Sequence, residues 1–121
     1  MADNRAVFAF PKTTYVRSEK LREAYRLIPC QHCGVSDGTV CCAHANWARY
    51  GKGKSIKASD DRAASLCRAC HYEIDQGHRL SKVERIEMWE QAHARSVRLL
   101  VERGLWPADV PVPDLSHIEA S

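Results

Sequence analysis

The longest regular hydrophobic pattern in the chain lies between residues 81 and 104. Apolar positions recur there at helical spacing, and the segment begins with Ser81-Lys82-Val83-Glu84, which has the S-x-x-E form of a capping box. Gly104 and Pro107 end the pattern. We predict a C-terminal helix over 81–104, followed by a loose tail over 107–121. The predicted buried stripe consists of Val83, Ile86, Trp89, Ala92 or His93, Val97 and Leu100.

A second, shorter helical pattern follows Ser18, which is a good N-cap residue. Pro29 should end this helix just before it, because the residue preceding a proline is pushed out of the helical conformation. Residues 1–17 have no clear periodicity and are predicted to form an extended arm. The apolar residues on one face of the helix are Leu21, Ala24, Tyr25 and Ile28.

The middle of the chain carries weaker patterns. Residues 39–43 form a short, β-prone segment, and residues 63–75 have helical spacing after their first few positions, with Gly77 as a stop.

A chain of 121 residues is predicted to be a single domain, 1–121. The pattern contains no apolar run long enough to span a membrane and no signal-peptide pattern, so we expect a cytoplasmic protein.

Two C-x-x-C pairs dominate the chemistry of the sequence. They are Cys30/Cys33 and Cys67/Cys70, and residues 34–66 separate them. Thiols of cytoplasmic proteins stay reduced, so paired cysteines there hold metal more often than they form disulfides. One C-x-x-C turn presents two thiolates to an ion, and a second turn completes a tetrahedron. We predict one structural Zn²⁺ ion bound by all four cysteines.

The two remaining cysteines, Cys41 and Cys42, are adjacent in the predicted strand. Neighbouring residues of a strand point to opposite faces. We expect both to be small buried side chains.

Three further residues could carry catalysis: His44, His71 and Asp75. His71 and Asp75 are four residues apart in a predicted helix, so they share a face and could bind one ion. An imidazole with a carboxylate suits a hydrated divalent metal. Each of these residues alone would also be unremarkable as a surface or core-edge polar group.

Positive charge is concentrated in the same part of the chain. Residues 1–80 contain 13 Lys/Arg and 8 Asp/Glu, whereas residues 81–121 contain 5 and 7. A basic stretch interleaved with glycine follows His44, and we predict that it contacts the DNA backbone. A merely solvated loop is the alternative. The basic residues are Arg49, Lys52, Lys54 and Lys57.

The order C-x-x-C, then Ala43-His44 after a strand, then L-C-x-x-C-H resembles the HNH endonucleases of the ββα-metal type. A narrower resemblance is to the small prophage-encoded proteins called YbcO-like. It rests on Ala43-His44, on the G-K-G and I-K-A-S-D stretches between Gly51 and Asp60, and on L-C-R-A-C-H-Y-E-I-D from Leu66 to Asp75. The resemblance spans Cys30 to Asp75, a little over a third of the chain.

The resemblance implies an α+β fold with a zinc-stapled ββα core over 30–77 and flanking N-terminal and C-terminal helices. It implies that His44 is the general base, that His71 is a ligand of a catalytic ion such as Mg²⁺ or Mn²⁺, and that Asp75 is a further ligand. The expected activity is hydrolysis of duplex or branched DNA in phage or prophage recombination or DNA processing.

Two departures from the HNH pattern leave alternatives open. Ala43 stands where most HNH enzymes have a metal ligand, and Arg62 stands where the central Asn is expected, so that Asp60 or Asp61 would have to hold the loop. Either His71 and Asp75 bind the ion with water, or His44 is itself a ligand, or the site is inactive. The competing function is a non-catalytic zinc-ribbon module that binds nucleic acid or a protein partner.

Overall fold

The computed structural model describes residues 15–45, 47 and 59–118. The two strands form an antiparallel hairpin in which Cys41 lies opposite Leu66 and His44 lies opposite Ala63. The hairpin packs against a long helix, with two shorter helices beside it, so the predicted small ββα-like α+β fold is confirmed. The elements in chain order are α1 (Glu19–Tyr25), β1 (Cys41–His44), β2 (Ala63–Leu66), α2 (Arg68–Asp75) and α3 (Lys82–Glu102).

Both predicted helix starts are confirmed by their caps. The Ser18 hydroxyl accepts a hydrogen bond from the backbone N–H of Leu21, and Ser81 and Glu84 form the reciprocal bonds of a capping box. The C-terminal end of α1 was predicted less well. The helix ends at Tyr25 rather than just before Pro29, although Ile28 in the following turn is buried.

Strand β2 was not separated from the following helix by the sequence pattern. All four of its residues, Ala63–Leu66, are buried. A strand buried on both faces shows no alternation of apolar and polar positions, and a short buried run does not distinguish strand from helix. The helix predicted within residues 63–75 therefore begins only at Arg68.

The two faces of the hairpin support two separate hydrophobic clusters. On the first face, Cys41 and Ala43 pack with Ile74 of α2 and Trp89 of α3. On the second face, Cys42 packs against the cluster formed by residues of α1 with Ala63, Leu100 and Val110. The expectation that Cys41 and Cys42 point to opposite faces is confirmed.

Polar side chains of α3 fasten it to the hairpin. The Trp89 indole N–H donates to the carbonyl of Ala43 at 2.9 Å, and Nδ1 of His93 donates to the carbonyl of Ala63 at 2.7 Å. The Ser96 hydroxyl accepts the backbone N–H of Ser65 at 2.9 Å. These bonds satisfy backbone groups of the sheet that would otherwise be buried without partners.

The buried stripe of α3 starts later than predicted, because Val83 is 64% exposed.

The segment after α3 has no further helix or strand up to residue 118, but it is held against the domain. Gly104 has a φ of 71°, the left-handed conformation that ends many helices. The Trp106 indole N–H donates to the carbonyl of Val110 at 2.8 Å, and Val110 and Ile118 are buried. None of the described helices is long and apolar enough to cross a membrane.

Candidate functional site

The four cysteines of the two C-x-x-C pairs meet in one cluster. The Sγ atoms of Cys30, Cys33, Cys67 and Cys70 all lie within 4.8 Å of one another, and those of Cys33 and Cys67 are 3.7 Å apart. The first pair lies in the turn after α1, and the second lies at the start of α2. Four convergent thiols suit a structural Zn²⁺ ion, so the cluster ties the N-terminal part of the chain to the hairpin and α2.

The thiols of this cluster have unequal proton affinities. Burial opposes ionisation of Cys30, but hydrogen bonds from backbone N–H groups, first that of Cys33, outweigh it and lower the pKa of this thiol to about 6. Burial raises the pKa of Cys70, and the neighbouring thiols raise it further. A thiolate at Cys30 gives a cation its first ligand, and a bound cation would then favour ionisation of the others.

His44, the predicted base, lies at the end of β1 with a carboxylate beside it. Its Nε2 is 2.8 Å from Oδ1 of Asp60. The imidazole is 32% exposed, whereas the carboxylate of Asp60 is only 2% exposed. An ionised carboxylate can only accept, so Nε2 carries the proton and Nδ1 is the acceptor nitrogen of the neutral ring. The pair therefore fixes both the orientation and the tautomer of His44.

Residues at the start of α1 hold Asp60 in place. Its Oδ2 accepts hydrogen bonds from the backbone N–H of Ser18, at 2.8 Å, and from the guanidinium of Arg22. The guanidinium of Arg17 is 3.7 Å from Oδ1. Burial alone would raise the pKa of Asp60, but the hydrogen bonds from His44, Ser18 and Arg22 outweigh it, and the pKa lies below its ordinary value. The carboxylate is therefore ionised at neutral pH.

The second predicted group, His71 and Asp75, is also brought together. Nε2 of His71 is 3.2 Å from Oδ2 of Asp75, and both side chains are about one-third exposed, at 35% and 33%. A third residue joins them: Sγ of Cys41 is 3.4 Å from Nδ1 of His71. The three side chains form a chain of contacts from β1 to the last turn of α2.

The hairpin separates His44 from this second group. His44 shares a face of β1 with Cys42, whose Sγ is 3.9 Å from Nε2, while Cys41 on the other face contacts His71. Within the described part of the chain, the four-cysteine cluster is the one group of three or more His, Cys, Asp or Glu ligand atoms lying within 4.8 Å of one another. His44 is therefore not placed as a ligand of an ion at His71 and Asp75.

The predicted DNA-contacting residues Arg49, Lys52, Lys54 and Lys57 lie outside the described residues, so this prediction stays a prediction.

Sequence reasoning missed some of the residues that the structure places at these sites. Asp60 was expected only to replace the missing Asn as a loop support, and its contact with His44 was not foreseen. Cys41 was interpreted as a small buried side chain, and Arg22 was not singled out. A signal existed for Arg22, which lies one position after the buried Leu21 of an amphipathic helix and so borders the face that packs on the hairpin.

Comparisons with protein-family models, with curated proteins and with solved structures gave no match to this chain. The HNH resemblance therefore stays an expectation from the motif, and the functional argument depends on the geometry of the site.

Proposed function

We propose that this protein is a metal-dependent endonuclease that hydrolyses phosphodiester bonds in DNA, with His44 as general base. The observation that carries the proposal is the His44–Asp60 pair, in which a partly exposed imidazole is held by a buried, ionised carboxylate. A general base needs a fixed ring with an acceptor nitrogen that can reach a water molecule. Nδ1 of His44 is that nitrogen when Nε2 donates to Asp60.

The support for His44 continues through Asp60 into α1. Oδ2 of Asp60 is bonded to the Ser18 backbone and to Arg22, so the carboxylate cannot rotate away without breaking charge-assisted hydrogen bonds. The four-cysteine cluster braces the same hairpin, since Cys67 directly follows β2. A rigid support of this kind is what positions a catalytic group.

Charge around His44 favours an anionic substrate. Two guanidinium groups, those of Arg17 and Arg22, lie within 4 Å of the single carboxylate of Asp60. These three side chains together therefore carry a net positive charge. Arg17 is 43% exposed at its side chain, which allows it to approach a phosphate from solvent. This surface adds to the predicted basic loop and lies next to the proposed base.

The divalent ion of the proposed reaction would be held at His71 and Asp75. Their nitrogen and oxygen atoms, 3.2 Å apart, have the separation expected of two neighbouring ligands with bonds of about 2.1 Å. When bound, the ion would neutralise charge on the phosphate and on the departing oxygen. The nuclease requires His44, His71 and Asp75 to act on one phosphate, and they lie on opposite faces of β1, so the substrate would have to pass over the edge of the hairpin.

The test is cleavage of plasmid DNA, single strands and branched duplexes by the full chain with Mg²⁺, Mn²⁺ or Zn²⁺. The variant His44→Ala should lose at least two orders of magnitude in rate, because general-base catalysis contributes about 10²–10⁴-fold. His78→Ala is the matched control, since His78 is an exposed histidine outside both groups. Equal cleavage by His44→Ala and by the wild type would refute the role of His44.

One observation favours a second candidate, a non-catalytic zinc module that binds nucleic acid. In the residues that the structure describes, the four-cysteine cluster is the one group of three or more closely spaced metal ligands. Salt-sensitive DNA binding without cleavage, on every substrate and with every metal, would favour this second function.

A further inference from the structure

The thiol of Cys41 lies beside His71, and the proposed function leaves this thiol unused. Its Sγ lies 3.4 Å from Nδ1 of His71 and 3.4 Å from the carbonyl oxygen of Leu66. His71 in turn meets Asp75 through its other ring nitrogen, Nε2. Two potential ligand atoms of different types, Sγ of Cys41 and Nδ1 of His71, therefore face each other on the first face of the hairpin, beside the four-cysteine cluster.

The distances match those of a metal chelate. Zinc–sulfur bonds are about 2.3 Å and zinc–nitrogen bonds about 2.0–2.1 Å, so sulfur and nitrogen ligands of one tetrahedral ion lie about 3.5 Å apart. Sγ of Cys41 and Nδ1 of His71 have nearly this separation. No large movement of either side chain is needed to admit the ion between them.

Asp75 has the position of a supporting carboxylate for such an ion. Histidines that bind metal usually donate their other ring N–H to a carboxylate, which fixes the tautomer and increases the basicity of the ligating nitrogen. Because Asp75 accepts from Nε2 of His71, Nδ1 faces Cys41 without its proton.

The side chains of this site are partly accessible to solvent. His71 and Asp75 are about one-third exposed, at 35% and 33%, and Cys41 is half-buried at the edge strand. A site with few protein ligands and access to solvent keeps open coordination positions, which separates catalytic from structural zinc sites.

We propose that Cys41 and Nδ1 of His71 bind a second, exchangeable thiophilic ion such as Zn²⁺, and that Asp75 orients His71 through Nε2 instead of binding the ion itself. The inference rests on the proposed function only for the role of this ion in hydrolysis. A site that includes Cys41 changes the expected metal preference, because a thiolate ligand favours Zn²⁺ or Co²⁺ over Mg²⁺. The inference also assigns Cys41 a role that its interpretation as a core thiol did not include.

The test is the metal content of the full chain after equilibration with Zn²⁺ and removal of unbound ion. We expect two zinc ions per chain for the wild type and one for Cys41→Ala. Cys42→Ala is the matched control, because this neighbouring thiol faces the other cluster, and it should keep two. Retention of one zinc by Cys41→Ala also shows that this variant has folded around the four-cysteine cluster.

Substitution with Co²⁺ gives an independent readout. The second equivalent of Co²⁺ should add a thiolate charge-transfer band in the wild type and in Cys42→Ala, and should not do so in Cys41→Ala. One zinc in the wild type, or two in Cys41→Ala, would overturn the proposal.

The metal measurement and the cleavage assay can fail separately. A chain that binds one zinc but cuts DNA with Mg²⁺ in a His44-dependent manner refutes the second site and leaves the nuclease. A chain that binds two zinc ions with Cys41 required, but cuts no substrate, keeps the site and refutes the nuclease.

Discussion

Nε2 of His44 lies 2.8 Å from Oδ1 of Asp60, and this contact joins the end of β1 to the segment that precedes β2. The carboxylate is buried and the imidazole is partly exposed, so one partner is fixed while the other can meet a ligand. Through Asp60, the position of His44 depends on Ser18 and Arg22 at the start of α1. A segment that precedes both C-x-x-C pairs thus controls the position of the residue on which the proposed chemistry depends.

We expect Asp60→Asn to lower both stability and cleavage. Loss of the negative charge weakens the bonds from His44, Ser18 and Arg22, and losing hydrogen bonds to a buried charged group costs about 1.5–3 kcal/mol in the free energy of unfolding. The cleavage rate should fall because the Asn amide can donate to Nε2 of His44 as well as accept from it, so the tautomer of the ring is no longer fixed. Denaturant unfolding and single-turnover cleavage measure the two effects.

Asp61→Asn is the matched control for Asp60→Asn, because it removes the same charge one residue further along the chain. Asp61→Asn should change the unfolding free energy far less. Equal losses from the two variants would contradict a specific role for Asp60.

The lowered pKa of Asp60 also predicts an acid dependence. The folded pKa lies below the unfolded value of 3.8, so the stabilisation is present above pH 3.8 and is lost as the pH falls through the folded pKa. The wild type should lose stability in this acid range more steeply than Asp60→Asn, which has no proton to bind there. Parallel pH profiles for the two proteins would contradict the assignment.

Removal of the structural metal should unfold the domain. Cys33 is exposed, so Cys33→Ala leaves no buried cavity and its effect reports the metal alone. Structural zinc supplies about 10–16 kcal/mol of folding free energy in zinc-finger peptides, more than a small domain can lose. We expect Cys33→Ala, or the wild type with a strong chelator, to lose cooperative thermal unfolding.

The control for the zinc site is Cys42→Ala, which removes a thiol from a different cluster. Burial, reinforced by the charge of Asp60, raises the pKa of Cys42 to about 12, so this thiol carries no charge to lose at neutral pH. Cys42→Ala should keep its structural zinc and its cooperative transition. Its stability should fall only by the cost of the smaller side chain.

The sequence predicted those features that depend on local chemistry. The S-x-x-E capping box, the Ser18 cap and the two C-x-x-C turns each need only a few neighbouring residues, and each is found where predicted. The boundary between β2 and α2 could not be predicted, because a fully buried Ala-Ala-Ser-Leu strand has no alternation. The His44–Asp60 and Cys41–His71 contacts join residues far apart in sequence and depend on the tertiary packing of the hairpin.

The packing also explains the alanine at the position where an HNH ligand was expected. Ala43 is only 1% exposed and lies in the first hydrophobic cluster, under Trp89. We expect Ala43→Asp to destabilise the fold by several kcal/mol rather than to restore a ligand, because an unpaired buried carboxylate is strongly unfavourable. Thermal unfolding and cleavage with added metal test this expectation against Ala43→Ser, and higher cleavage by Ala43→Asp would contradict it.

His93 should make stability depend on pH near neutrality. Burial lowers the pKa of His93 from 6.5 to about 4, although the hydrogen bond to the carbonyl of Ala63 acts to raise it. The unfolded chain therefore binds a proton below pH 6.5 that the folded chain does not, and stability falls as the pH drops from 6.5 towards 4, by about 3 kcal/mol in full.

The variant His93→Gln tests this linkage, because Gln has a donor but does not titrate. Its loss of unfolding free energy between pH 7.5 and pH 5 should be smaller than that of the wild type by about 2 kcal/mol. Proton release by the zinc thiols contributes to both proteins and cancels in the comparison. His78→Gln, at an exposed position, should follow the wild type.

The basic loop predicts a specific salt dependence of DNA binding. Each lysine that neutralises a phosphate contributes about −0.9 to the slope of log K against log salt concentration, because binding releases a condensed counterion. Replacing Lys52, Lys54 and Lys57 together by Gln should therefore reduce the magnitude of the slope by about 2–3 and weaken binding at low salt. Fluorescence anisotropy with a labelled duplex, over a series of salt concentrations, measures the slope. The control variant replaces three exposed basic residues of α3 and the turn after it: Lys82, Arg98 and Arg103. An equal reduction of the slope in that variant would show that the basic loop has no special role.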